Sequence, residues 1–216
     1  MKRNFIFGIA SGFALSCPIA LVSAEEISVE YKRFYSHVRK LNNEETEALQ
    51  FAFGFKHIHE NRLCDIASAV ISTDKKQIPL ALSDEHRFTV PSEKALRLAD
   101  ARVVLDLQDK ANLCDMSVQL ETKENYLKTS YTPKELRYLF DQYHAFFDDM
   151  GGLLSFMMPS VVGLRFYFEN GLNQQLENSA FVIVNGELTV DKKQFDNLPT
   201  LNLPSTPLRI TAITSK

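Results

Sequence analysis

The feature that most constrains this chain is an alternation of period two, carried in short runs that polar turns interrupt. Phe51, Phe53 and Phe55 alternate with Ala52, Gly54 and Lys56, which places three phenylalanines on one face of a strand. Asn61-Arg62 turns the chain into a second run from Cys64 to Thr73, and Asp74-Lys75-Lys76 makes the next polar turn. Arg87 to Val90 reads as a short strand that stops at Pro91, because proline removes the next ladder donor. Ser92 is placed to cap one helical turn through Ala99. Ala101 to Leu107 and Cys114 to Glu121 alternate again, joined by Asp109-Lys110-Ala111-Asn112. The turns at Asn61-Arg62 and at Asp109 to Asn112 are each expected to close a hairpin between the runs they join.

One segment departs from this period. Thr132-Pro133-Lys134-Glu135 has the form of a capping box with proline at the first helical position. Leu136, Leu139, Phe140, Tyr143, Phe147 and Met150 follow at steps of three and four, so one apolar stripe is predicted on a helix over 132–150. Gly151-Gly152 supplies the stop. A shorter helix is expected from Tyr31 to Leu41, preceded by a strand through Ile27, Val29 and Tyr31. Strands resume at Gly163 to Glu169, at Ala180 to Val190, and at Leu208 to Ile213. Within the second of these, Asn185-Gly186 is a strong signal for a two-residue hairpin turn.

About eight antiparallel strands with short connections and one packed amphipathic helix make a mainly β (α+β) chain, a sandwich or a partly open barrel. Two echoes suggest an internal duplication, with halves at 25–125 and 126–216. Leu63-Cys64-Asp65-Ile66 resembles Leu113-Cys114-Asp115-Met116, and Asp74-Lys75-Lys76-Gln77 recurs as Asp191-Lys192-Lys193-Gln194.

The first 24 residues read as a secretory signal peptide. Lys2 and Arg3 precede an apolar stretch from Phe5 to Val22, and Val22-Ser23-Ala24 is a small-x-small exit before Glu25. Removing that segment, which carries two basic and no acidic side chains, turns 216 residues and a formal charge of −3 into 192 residues and −5. An acidic chain of this length argues against a nucleic-acid binder and is ample for one buried core. The run from Gly152 to Leu164 is too short to span a bilayer, so a soluble periplasmic domain over 25–216 is expected.

Cleavage after Ala24 also removes Cys17 and leaves Cys64 and Cys114. An even pair in an oxidising compartment suggests a disulfide. The competing reading, a redox or metal-binding thiol pair, lacks a C-x-x-C spacing and clustered histidines. Lipid attachment at Cys17 is a second possibility for the N-terminus, but Leu15 sits where a lipobox takes a small residue.

Candidate chemistry is sparse. His57 and His59 share one face at a strand end, a spacing used by metal sites, with Glu60 adjacent and Asp84 or His86 as further donors. No G-x-S-x-G elbow, H-E-x-x-H, P-loop or dinucleotide fingerprint occurs, and no cofactor is expected. Acidic pairs at Glu44-Glu45, Asp84-Glu85 and Asp148-Asp149 read as solvated surface. The many phenylalanines suit a core between sheet and helix. A sharper reading opens an apolar groove at Phe146, Phe147, Met157 and Met158.

Several short motifs stand in a telling order. Phe34-Tyr35 follows the leader, then come Cys64-Asp65-Ile66, Ile78-Pro79-Leu80, Phe88-Thr89-Val90-Pro91, Asp100-Ala101, Cys114-Asp115-Met116, and Pro159 through Gly163-Leu164. This order resembles an exported proteobacterial family known as a domain of unknown function, number two-nine-eight-seven. The resemblance implies a single periplasmic domain with paired cysteines and no assigned activity, and it brings no catalytic residues with it.

Taken with the residues, it favours a non-enzymatic periplasmic domain that binds an envelope protein or an apolar ligand. The alternative is a hydrolase or metal-dependent enzyme whose site is assembled from scattered residues such as His57, His59 and Asp65.

Overall fold

The computed structural model describes residues 25–152, 159–177 and 180–215. Its strands are β1 Glu25–Glu30, β2 Leu49–His57, β3 Ile66–Ser72, β4 Gln77–Pro79, β5 Arg102–Leu107, β6 Cys114–Thr122, β7 Ser130–Tyr131, β8 Val161–Tyr167, β9 Gln174–Gln175, β10 Val182–Ile183, β11 Glu187–Asp191, β12 Leu201–Asn202 and β13 Arg209–Thr214. The helices are α1 Tyr31–Val38, α2 Lys94–Leu98, α3 Pro133–Gly151 and α4 Lys192–Phe195. The chain is mainly β, as its alternation predicts, and the described strands form several antiparallel sheets with no closed barrel. The longer strands match the alternating runs; the additional ones are pieces of two or three residues too short to show a period.

Strand pairing is where the sequence misleads. The expected hairpin between β2 and β3 begins, with Lys56 bridged to Leu63 and the Cys64 N–H donating to the Phe55 carbonyl at 2.7 Å. It then splays. β2 takes β6 as its partner along its whole length, from Leu49 opposite Thr122 to His57 opposite Cys114. β3 pairs instead with β5, within a four-stranded sheet ordered β1-β5-β3-β4. β5 and β6 likewise take other partners, β3 and β2, so each arm leaves its sequence neighbour for an arm of the other expected hairpin. The two corners, near residues 62–66 and 108–114, therefore lie side by side.

A three-stranded sheet ordered β11-β8-β13 completes the larger framework. Asn185 and Gly186 join β10 to β11 with φ of 50° and 78°, the two positive values that a tight hairpin turn matching strand twist requires. A side chain at Gly186 would place its Cβ 2.5 Å from the Glu169 carbonyl oxygen, so the position excludes anything larger.

Helix α3 carries the predicted capping box. The Thr132 hydroxyl accepts from the Glu135 N–H, and Glu135 reaches back to the Thr132 N–H at 2.9 Å. Its buried face runs through Leu136, Leu139, Phe140, Tyr143 and Phe146 rather than through Phe147, and Met150 is exposed. Tyr143 anchors the helix to two strands, donating to the Ile210 carbonyl at 2.6 Å and lying 3.0 Å from the Thr122 hydroxyl. Buried Gln142 accepts from the Ala48 N–H at 2.8 Å and donates to the Glu44 carbonyl at 3.2 Å, which satisfies both ends of its amide.

Three smaller expectations need correction. Arg87 to Val90 forms no strand of its own; Phe88 makes isolated bridges to Phe53 and Leu82. Ser92 does not cap α2, whose N-cap is Glu93 without a side-chain bond, because the Ser92 hydroxyl accepts from the Asn42 amide at 2.9 Å. The two Asp-Lys-Lys-Gln segments also differ in structure. The first turns into β4, whereas Asp191 is the N-cap of α4.

Among the described residues a buried cluster runs from Tyr31 to Ile210 and draws on both proposed halves. Edge-to-face rings knit its centre, with Phe34 and Phe53 4.9 Å apart at 89°.

Candidate functional site

The two corners set one wall of the site. Cys64 and Cys114 are joined by a disulfide with a Cα separation of 6.2 Å, within the normal span for such a bond. Beside them Arg62 donates to both carboxylate oxygens of Asp109, and Asp109 also accepts the Asp65 N–H at 2.9 Å. The Arg62 guanidinium holds the Asp109 carboxyl well below the usual carboxylate range. Together these bonds clasp the two points at which the chain passes between sheets.

Next to the corners opens a cleft of about 820 Å³ lined by Lys56, Arg62, Arg87, Arg165 and Arg209 and by two acids, Glu85 and Glu187; of the five cations, Arg62 is already paired with Glu60 and Asp109. On a chain whose formal charge is −3 this is a concentrated reversal of sign. Its residues come from six separate stretches, at 56–63, 85–87, 117–119, 165–167, Glu187 and Arg209, and the alternation that builds the core positions those that lie on strands. Phe51, Phe53 and Phe55 fill the inner face of β2, which leaves Ala52, Gly54 and Lys56 on the other. Backbone bonds of 2.8 Å in both directions tie Phe88 to Phe53, and Arg87, one residue earlier, lies over Gly54. A Cβ there would sit 3.4 Å from Arg87 Cγ and 3.3 Å from the His86 carbonyl oxygen. Gly54 thus lets the His86 backbone carbonyl approach β2 closely.

Strand β8 supplies the opposite wall. Leu164 and Phe166 turn inward and are fully buried, so Arg165 and Tyr167 turn outward into the cleft. Arg209 of β13 lies opposite Tyr167 in register. Its guanidinium stacks 3.8 Å above the Tyr167 ring, a cation–π contact, and touches Glu85 directly. Arg165 lies 3.6 Å from Glu187.

Two of these cations, Arg87 and Arg209, are withdrawn from water further than their partners compensate. Burial lowers the Arg87 guanidinium below its ordinary range and pushes Arg209 down to about 10, despite the Glu85 contact. Arg87 Nε and Nη1, Arg165 Nε and Arg209 Nε are buried without an acceptor. A buried donor left unmade costs about 1–3 kcal/mol, so three such side chains around one cleft need an explanation. Behind Arg87, Glu121 is pushed up by burial and accepts from the Gln50 amide at 3.0 Å.

The residues picked out by sequence lie elsewhere. His57 is buried at the end of β2, and its Nδ1 accepts the N–H groups of Glu60 and His59 at 3.1 and 3.4 Å. The His57 and His59 rings are 6.2 Å apart. Asp65 faces His86 at 3.3 Å rather than either of them. Among the described residues, Cys64, Asp109 and Cys114 have ligand spacing, but the two sulfurs are bonded to each other. Phe146 packs on Phe51 with ring centres 5.7 Å apart and on Phe147 at 5.6 Å. Met157 and Met158 lie outside the described residues.

A family model described as a protein of unknown function (DUF2987) matches residues 23–168. The chain belongs to this family. The DUF2987 match includes Lys56, Arg62, Arg87, Arg165 and Tyr167 of the cleft, whereas Glu187 and Arg209 follow it in sequence. No curated protein and no solved structure matches the chain. Among the described residues no helix is long and apolar enough to cross a membrane.

Sequence reasoning missed Arg87, Arg165 and Arg209. The available signal was the alternation of Arg165 with Leu164 and Phe166 on β8 and of Arg209 with Ile210 on β13; Arg87, outside any strand, carried none. Nothing in one sequence distinguishes an arginine that faces open solvent from one that faces two others.

Proposed function

We propose that this DUF2987 protein is an exported periplasmic binding domain, not an enzyme, and that it holds an envelope protein through an anionic group seated in the arginine-lined cleft. The observation that carries this reading is the set of buried guanidinium N–H groups at Arg87, Arg165 and Arg209 that have no acceptor. Guanidinium forks hold carboxylates and phosphates, and their charge does not come off at working pH. They therefore suit retention of an anion better than proton transfer. Export is supported by the leader over residues 1–24 and by a cysteine pair of the kind that persists in oxidising compartments.

An apolar ligand has weaker support, since Phe51, Phe53, Phe55 and Phe146 are packed into the core. The deciding experiment compares cross-linked complexes recovered from the periplasm with the wild-type chain and with an Arg87→Gln, Arg165→Gln variant shown to keep its melting temperature. Loss of one defined complex in the variant supports the reading. Equal recovery from both chains overturns it.

A further inference from the structure

Resting on that reading, we infer that the cleft takes an extended acidic segment of the partner protein, with carboxylates at alternate positions. The spacing of the cations sets this form. Arg165 and Tyr167 are two residues apart on β8, and Arg209 stands opposite Tyr167 on β13. Arg209 is one strand across, but its guanidinium reaches back over the Tyr167 ring; two residues of strand span about 6.7 Å, so Arg165 and Arg209 address points about one alternate-residue step apart along β8. An extended peptide lying along β8 sends every second side chain to the same side at that step. A lone phosphate or carboxylate occupies one of these points and leaves the other unmet.

The chain already places its own carboxylates at both points. Glu85 contacts Arg209, and Glu187 approaches Arg165 at 3.6 Å. These two acids show which group the guanidiniums donate to, and they occupy the positions that a partner's acids would take. Glu85 is the displaceable one. It belongs to the loop before Phe88, not to a strand, and its neighbour His86 has a left-handed φ of 53°, which for a residue with a side chain costs free energy. A partner carboxylate on Arg209 frees Glu85, and the loop with it. Arg87 from the facing wall supplies further donors, and exposed Val118 with half-buried Leu63 adds apolar contact for the intervening side chains.

The test uses the full mature chain and fluorescently labelled synthetic peptides. One peptide alternates threonine and glutamate; the second has the same composition with the glutamates contiguous; inorganic phosphate and phosphoserine serve as competitors. We expect the alternating peptide to bind about tenfold more tightly than its isomer, the difference of one charge-assisted hydrogen bond. Binding should weaken as salt rises. Arg165→Gln should reduce affinity about tenfold with the melting temperature kept, and Glu85→Gln should tighten it by removing the resident competitor.

Equal affinity for the two peptides overturns the alternating register. Displacement by phosphate or phosphoserine at equal concentration overturns the carboxylate assignment in favour of a phosphoryl ligand. No binding of either peptide overturns the inference outright. If arginine-dependent cross-linking in the periplasm persists in any of these cases, the proposed function stands and only the form of its ligand is wrong.

Discussion

Arg62 grips Asp109 with two parallel hydrogen bonds, at 2.8 and 2.7 Å, across the same pair of corners that the disulfide joins. The carboxylate is thereby held ionised well below its ordinary range, and this has a definite consequence for acid stability. A carboxyl whose folded pKa is depressed contributes stability above its unfolded value, near 3.9, and loses it as pH falls through the folded value. Asp109→Asn should therefore lower the urea midpoint at pH 7, and the gap to wild type should narrow progressively below about pH 4. A gap that stays constant down to pH 2 would show that the ion pair contributes nothing.

The disulfide stabilises the same corners more strongly. Cys64 and Cys114 are separated by 50 positions in sequence, and closing a loop of that length stabilises the folded chain by about 4 kcal/mol in the chain-entropy description. The double variant Cys64→Ser, Cys114→Ser should show a loss of that order in denaturant unfolding. Cys64→Ser alone should leave Cys114, which is only partly buried, reactive toward a thiol probe. Two reactive thiols in the oxidised wild-type chain would sink the claim.

At the start of α3, Thr132→Ala removes the hydroxyl that accepts from Glu135 and deletes half of the capping box. The expected cost is about 1 kcal/mol, visible as a lower melting temperature. An unchanged melting temperature would place the helix boundary elsewhere.

Gly186→Ala is predicted to be more damaging than its size suggests. The position has φ of 78° and no room for a Cβ beside the Glu169 and Phe168 carbonyls. Backbone strain alone costs about 1–3 kcal/mol, and the clash adds to it. A variant as stable as wild type in thermal unfolding would contradict the turn as described.

What the sequence made legible was local. The alternation of Phe51, Phe53 and Phe55 named the core face of β2, Thr132 to Glu135 marked the start of α3, and Asn185-Gly186 marked a turn. Each is a preference expressed within a few residues. Partner choice is not, since an alternating run states which face is buried and says nothing about which strand lies alongside. The exchange of arms at the two corners was accordingly invisible. Phe146 and Phe147 show a finer limit: both are apolar and adjacent on the helix, and only the position of Phe51 decides which is buried. The cleft was the least legible part, because Arg87, Arg165 and Arg209 meet only after β2, β8 and β13 have been placed.

The exchanged arms also bear on how the chain reaches its native state. A simple hairpin zips as soon as its second arm exists, but β2 cannot complete its ladder until β6 is available, with Leu49 waiting for Thr122. The closing contacts are long-range, and such topologies fold slowly compared with locally paired ones. During that interval the phenylalanine face of β2 has no strand beside it and is open to wrong partners. Cysteine pairing faces the same delay, because Cys64 must remain a thiol until residue 114 has been delivered to the neighbouring corner.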